Sequence, residues 1–192
     1  MGLDIYHGDG DFTLKDFQKF KKCGHSFIFV KTSEGSSYED PCAVSNFVLA
    51  SKADMMVGGY HFFRGEDGET EKFFSVLSKV GYTPHKHLPP VIDYEVDGIV
   101  DAESKLTKLI IAIKNKYKIT PILYASPSIL EGLHLPYYHL WVAEYGVTKP
   151  SIQNWAFWQY TEHGKIDGYS NDFDLDRFYS NEEVLKEWLR TN

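Results

Sequence analysis

The sequence predicts an α/β fold: a modified TIM-like β/α barrel with eight strands and fewer than eight helices, in one domain over residues 1–192. Short apolar segments alternate with amphipathic ones as far as residue 125, a rhythm that implies parallel strands joined by right-handed crossovers. Eight strand-like segments occur in all, the number that closes such a barrel. No glycine-rich phosphate loop follows the first strand, which counts against the runner-up, an open doubly wound sheet of the nucleotide-binding kind.

Residues 3–6 form the first short strand. Residues 13–22 read as a helix, with Thr13 as its N-cap candidate and Leu14, Phe17 and Phe20 at helical spacing. Gly24 ends it, and residues 27–31 are strand two. The next helix takes residues 40–53, with Pro41 in its first turn and Val44, Phe47 and Val48 directed inward. Residues 56–63 make strand three, where Gly58-Gly59 permits close backbone approach. A helix over 69–80 carries Phe73, Phe74 and Leu77 on one side, and the stretch 88–98 holds strand four. Residues 101–117 form the longest helix, striped by Leu106, Leu109, Ile110 and Ile113. Strand five covers 121–125, followed by a short turn or helix near 127–133. From there the rhythm shortens: 140–144, 156–161 and 172–175 read as strands with no full helix between them. Residues 181–190 close the chain as a helix opened by Ser180, with Glu183 as capping-box partner.

The chemistry centres on strand four, Pro90-Val91-Ile92-Asp93-Tyr94-Glu95. Side chains alternate faces along a strand, so Asp93 and Glu95 point to one side. Two acids in one cleft perturb each other's proton affinity and can divide acid and base duties. Catalytic residues of a β/α barrel gather at the C-terminal strand ends. Alternation then predicts companions: Asp4 and Tyr6 on strand one, Lys31 on strand two, Tyr60 and Phe62 on strand three. Tyr124 follows on strand five, Trp141, Ala143 and Tyr145 on strand six, Gln159 on strand seven and Asp174 on strand eight. Each has an ordinary structural alternative: Lys31 as an ion-pair partner of Asp4, Asp174 in an exposed acidic run with Asp172 and Asp176, the aromatics as core.

Paired carboxylates among aromatic walls suit glycoside hydrolysis, in which one acid protonates the leaving oxygen and another supports positive charge at the anomeric carbon. Residues i and i+2 of a strand lie about 6.5–7 Å apart at Cα, which leaves both the retaining and the inverting carboxyl separations open. Other motifs are poor. His85-Lys86-His87 precedes strand four and so falls at the opposite end of a barrel. His61 points outward beside inward Tyr60 and reads as structural. No Gly-X-Ser-X-Gly elbow is present.

Aromatic residues make up 16% of the chain, with 13 Tyr and 4 Trp, a composition that suits sugar faces and cores alike. The formal charge of −7 argues against a nucleic-acid partner. The two cysteines, Cys23 and Cys42, fit no metal-ligand spacing and are expected as free thiols. The first residues carry no basic region followed by an apolar run, and no segment has the ~20 apolar residues that span a bilayer.

The motifs resemble those of glycoside hydrolase family 25, the Chalaropsis-type lysozymes that include bacterial and phage muramidases. Gly2-Leu3-Asp4-Ile5 is similar to the family's opening strand, Phe29-Val30-Lys31-Thr32-Ser33-Glu34-Gly35 to its second and Gly59-Tyr60-His61-Phe62 to its third. Pro90 to Glu95 resembles the Asp-X-Glu catalytic strand. Leu140-Trp141-Val142-Ala143-Glu144-Tyr145, Trp158-Gln159-Tyr160-Thr161, and Gly164-Lys165-Ile166-Asp167-Gly168 leading to Asp172-Phe173-Asp174-Leu175 follow in order.

The resemblance implies cleavage of the β-1,4 bond between N-acetylmuramic acid and N-acetylglucosamine in bacterial peptidoglycan. Glu95 would be the general acid/base. Asp93, remaining charged, would be nucleophile or would orient the substrate's N-acetyl group. Asp4 and Asp174 would position substrate and tune Glu95; Tyr60, Tyr124 and Trp141 would line the sugar subsite. No cofactor, metal, nucleic acid or membrane insertion is implied, and a monomer is expected. It would accumulate in the cytoplasm and reach the wall by holin-type release, as a phage endolysin does, or by non-classical export. The chain departs from the family at Tyr6, where Ser is usual, within His7-Gly8-Asp9-Gly10, where a Gln is missing, and at Asp176, where Asn is usual. A chitinase-like retaining hexosaminidase and a non-catalytic glycan-binding barrel are the alternatives.

Overall fold

The computed structural model describes residues 1–192. Its first half runs β1 (Gly2–Ile5), α1 (Leu14–Lys22), β2 (Phe27–Glu34), β3 (Tyr38–Glu39), α2 (Ala43–Lys52), β4 (Met56–Phe62), α3 (Glu69–Lys79) and β5 (Val91–Asp93). The second half adds α4 (Ala102–Tyr117), β6 (Ile122–Ala125), α5 (Pro127–Leu130), β7 (His139–Ala143), β8 (Trp155–Gly164), β9 (Phe173–Phe178) and α6 (Glu182–Thr191). The strands lie in the order β1-β9-β8-β7-β6-β5-β4-β2-β3, and β1 also pairs with β2, which closes a barrel of eight strands with β3 as an outlying two-residue ribbon.

The pairings from β1 through β2 and β4 to β8 are all parallel. β9 is antiparallel to both β8 and β1, which corrects the expectation of uniformly parallel strands. The connection from β8 to β9 spans only residues 165–172, shorter than the crossover a parallel pair needs, so β9 turns back against β8.

The barrel interior is packed with aromatic residues. Phe27, Phe29, Trp141 and Phe157 are buried together, with Phe29 and Trp141 stacked at 4.4 Å between centroids and Phe157 edge-on to Phe29 at 5.1 Å. These rings need small neighbours. A Cβ on Gly58 would lie 2.6 Å from the Phe29 ring and 3.0 Å from Leu88 Cβ. Gly58→Ala is therefore expected to cost ~1–3 kcal/mol by overpacking, read as a lower denaturant midpoint at unchanged slope. An unchanged midpoint would mean that the rings move aside freely.

Outside the barrel, α4 buries the expected stripe of Leu106, Leu109, Ile110 and Ile113. α2 differs from expectation: Val44 is exposed and Val48 half-buried, while Ala43, Asn46, Phe47 and Ala50 face inward. The small alanines let that helix sit close to β2 and β4. The last helix is capped by Asn181, whose Oδ1 accepts from the Val184 amide at 3.0 Å, so Ser180 lies outside it. Cys23 and Cys42 are free thiols.

His61 points away from the barrel axis, as expected, into a buried polar cluster. Its Nδ1 meets Ser33 Oγ at 2.8 Å and its Nε2 meets Glu69 Oε2 at 3.0 Å. Glu69 also accepts from the Arg64 amide at 3.1 Å and from the Glu66 amide. It is the first residue of α3, where negative charge suits the helix end and where Gly68 supplies no side-chain cap. His87 is likewise structural: buried against Phe47, with Nδ1 accepting from the Thr83 amide at 2.9 Å.

Candidate active site

The strand ends at one mouth of the barrel surround a cleft of about 270 Å³. Asp4 and Tyr6 from the β1 end, Lys31 from β2, Tyr60 and Phe62 from β4, and Asp93 and Glu95 from the β5 end line one half of it. Tyr124 from β6, Trp141 from β7, Gln159 from β8 and Asp174 from β9 line the other. Tyr145, also singled out in the sequence, stands behind this lining and donates its hydroxyl to Gln159 Oε1. β9 runs against its neighbours, yet Asp174 reaches the mouth because it sits near the start of that strand, directly opposite Asp4.

β5 ends at Asp93, so Glu95 lies on the loop beyond it rather than in the strand. Asp93 is buried and Glu95 exposed, and their carboxyls are close enough for Glu95 to raise the proton affinity of Asp93. Two carboxyls in contact hold one proton between them. Burial first, then the charge of Glu95 and the hydrogen bond to it, raise Asp93 well above the usual carboxylate range, and Lys31 only partly opposes this. Asp93 Oδ1 has no donor of its own. The expectation that Asp93 stays ionised is opposed by its surroundings in the folded chain, where burial and the neighbouring carboxyl favour its protonated form. The sequence concealed this because desolvation is set by the packed neighbours, not by strand position.

Opposite the pair, Gln159 Nε2 donates to Asp4 Oδ2 at 2.7 Å while its Oε1 accepts from Tyr124 at 2.8 Å. Burial and then the charge of Asp174 raise Asp4. Burial, followed by the charges of Asp9, Glu162 and Glu95, raises Asp174 to about 6. Tyr60 and Tyr124 are held as neutral phenols by burial and by the surrounding acids. The mouth is therefore rich in carboxyls whose protons are held more tightly than usual.

Lys31 does not pair with Asp4. Its Nζ donates to Glu34 at 2.7 Å and lies 5.0 Å from the centroid of the Phe62 ring, against which the Arg64 guanidinium also lies at 4.4 Å. Arg64 joins Glu34 in turn, with Nη2 at 2.6 Å. Trp141 is floor rather than wall: it is buried, edge-on to Tyr124 at 4.7 Å, with Nε1 donating to Asp176 at 2.9 Å. Among the aromatic residues that line the mouth, the exposed one is Tyr6.

The sequence reading missed Glu34 and Arg64 as a rim pair, Asp9 as a nearby charge, and Asp176. Alternation along β9 carried the signal for Asp176, because it shares a face with Asp174. Its place in Asp172-Phe173-Asp174-Leu175-Asp176 made it look like part of a solvated run.

A profile of the family described as "Glycosyl hydrolases family 25" matches residues 3–169. The autolytic lysozyme of Clostridium acetobutylicum is 31% identical over 188 residues, an alignment covering 92% of this chain and 55% of that protein. The chain thus spans about half the length of that relative. Among solved structures, a family 25 glycosyl hydrolase from Bacillus anthracis superimposes with a TM-score of 0.83 at 30% identity, covering 97% of this chain and 91% of that one. A bacterial lysozyme from Streptomyces coelicolor reaches a TM-score of 0.86 at 24% identity, covering 98% and 96%, a likeness of fold.

Proposed function

Since this chain belongs to glycosyl hydrolase family 25, we propose that it is a peptidoglycan muramidase, cleaving the β-1,4 bond between N-acetylmuramic acid and N-acetylglucosamine with retention at the anomeric carbon. The observation that carries the reading is the Asp93–Glu95 pair, two neighbouring carboxyls lining the mouth of an aromatic-floored cleft. Glu95, exposed to the cleft, is the member that reaches a glycosidic oxygen.

The contact also favours one route. A retaining pair of nucleophile and acid stands ~5–5.5 Å apart, with the sugar between, and an inverting pair farther still. Asp93 and Glu95 neighbour each other closely enough for one to raise the other's proton affinity, an arrangement that suits assistance by the substrate better than a sugar held between the two carboxyls. The nucleophile is then the substrate's own 2-acetamido oxygen. When glycan enters, the shared proton passes to Glu95, and Asp93, now anionic, accepts the acetamido N–H and aligns its oxygen. Glu95 gives its proton to the leaving oxygen as the C1–O bond breaks and the acetamido oxygen bonds to C1. Water then adds at C1, loses a proton to Glu95, and releases the acetamido group. Asp4, Asp174 and Gln159 hold the opposite side of the sugar, with Tyr6, Lys31, Tyr60, Phe62, Tyr124, Trp141 and Tyr145 shaping the subsite.

Digestion of purified peptidoglycan and chitin side by side, with mass spectrometry of the new reducing ends, tests the reading. New ends at N-acetylmuramic acid are expected. Chitin oligomers released with peptidoglycan untouched would instead make it a chitinase-like enzyme, and binding without cleavage a glycan-binding barrel. Its action is placed at the cell wall, reached by holin-type release or non-classical export. Lysis of intact cells only when a pore-former is co-expressed would favour the first.

A further inference from the structure

Beneath the cleft lies a second carboxyl pair, Asp4 with Asp176. β9 sets Asp176 opposite Gly2 and Asp174 opposite Asp4, and β8 sets Gln159 opposite Asp176. Opposite and alternate residues share a face, so all four polar side chains point into the barrel. Asp176 is fully buried and lies outside the cleft lining. Its Oδ1 accepts from Trp141 Nε1 at 2.9 Å, whereas its Oδ2 receives no donor. Its carboxyl neighbours that of Asp4, each altering the other's proton affinity. Asp4 is already an acceptor, from Gln159 Nε2 at 2.7 Å. Two neighbouring buried carboxyls call for a hydrogen between them, and Asp176 Oδ2, which nothing else serves, is the oxygen placed to carry it.

We propose that Asp176 is a positioning residue: as a neutral carboxylic acid it donates to Asp4 and so fixes Asp4, Gln159 and the Tyr124 and Tyr145 hydroxyls behind the sugar site. It touches no substrate. Loss of its proton would leave two like charges in contact in a low-dielectric interior, and Asp4 would swing from its place. Burial, then the charge of Asp4, pushes Asp176 well above the usual carboxylate range, with the Trp141 donor opposing. The groups facing it are Asp4 and the Met1 amino group from β1, Asp174 on its own strand, Tyr160 from β8, and the neutral Trp141 and Gln159. An acid raised in this way contributes stability that is full below its unfolded value of about 4 and is lost as pH rises through its folded value.

The activity part of this inference rests on the muramidase reading; the stability part does not. Wild type, Asp176→Asn and Asp176→Ala are compared by thermal melting and by muropeptide release from about pH 4.5 to about pH 8.5. Asn keeps a donor for Asp4 and an acceptor for Trp141 but cannot ionise. The melting temperature of Asp176→Asn relative to wild type is expected to rise with pH, by roughly 4 °C or more across the range. The alkaline limb of kcat/KM should move up by roughly one pH unit, and Asp176→Ala should lose about tenfold at every pH, a loss that Asn rescues. Profiles of Asp176→Asn that superimpose on wild type, or an Asn variant as impaired as Ala, overturn the proposal. If wild type cleaves no glycan, the muramidase reading falls alone, and the melting comparison still decides the role of Asp176.

Discussion

Glu95→Gln is expected to lower turnover of peptidoglycan by about 10³-fold, close to 4 kcal/mol of transition-state stabilisation, while leaving glycan binding intact. Glu95 lies on the loop after β5, exposed, so the amide fits without repacking and the fold should stay within about 0.5 kcal/mol of wild type. What the variant loses is the ability to give up a proton and take one back. The substitution also removes the charge that, after burial, most raises Asp93, so that Asp93 holds its proton less tightly. A variant with KM near wild type and kcat reduced by this factor has the signature of an interaction made only in the transition state. Muropeptide release within tenfold of wild type would refute the assignment of Glu95.

The second large effect falls on stability. Glu69→Ala is expected to destabilise the protein by ~3–5 kcal/mol, a fall in melting temperature of roughly 10 °C. Glu69 holds His61 Nε2 at 3.0 Å and takes the Arg64 and Glu66 amides, all buried or partly buried. Truncation leaves the buried His61 Nε2 without its acceptor and takes the shared carboxylate from two backbone amides. His61 is stacked on Phe73, 5.0 Å between centroids, and cannot turn to find another acceptor without breaking its bond to Ser33. Glu69→Gln keeps one acceptor oxygen and should fall between the two. A melting temperature for Glu69→Ala within about 2 °C of wild type would show that the cluster does not hold the β4–α3 connection together.

The parts of the fold that were legible in the sequence are those written in large apolar side chains. The α4 stripe could be read because Leu and Ile at helical spacing leave one solution. The inward face of α2 could not, because Ala43 and Ala50 pack closely by being small, and the valines drew the eye instead. Strand direction was illegible for β9, since a period of two is the same read either way; the direction follows from the short β8–β9 connection over residues 165–172. For the mouth of the barrel, alternation brought together residues from Asp4 to Asp174, because β-strand geometry fixes which side chains share a face. Alternation could not say which carboxyl would be dry. Asp93 and Asp176 keep protons because of what packs around them, and only the folded molecule contains that information.

The seam between β1 and β9 has a consequence for when the cleft comes into being. Residues 4 and 174 are partners across it, so the ladder that completes the barrel joins the two ends of the chain. Such contacts have the highest loop-closure cost in the molecule and form late. During synthesis the ribosome must release the last strand before Asp4 meets Asp174 or Asp176, and until then β1 and β8 present open edges. An emerging chain has its Asp93–Glu95 segment but no opposite wall. Assembly of the site is thereby tied to the emergence of β9, and a shortened product ending before residue 173 has neither a closed sheet nor a sugar-binding cleft.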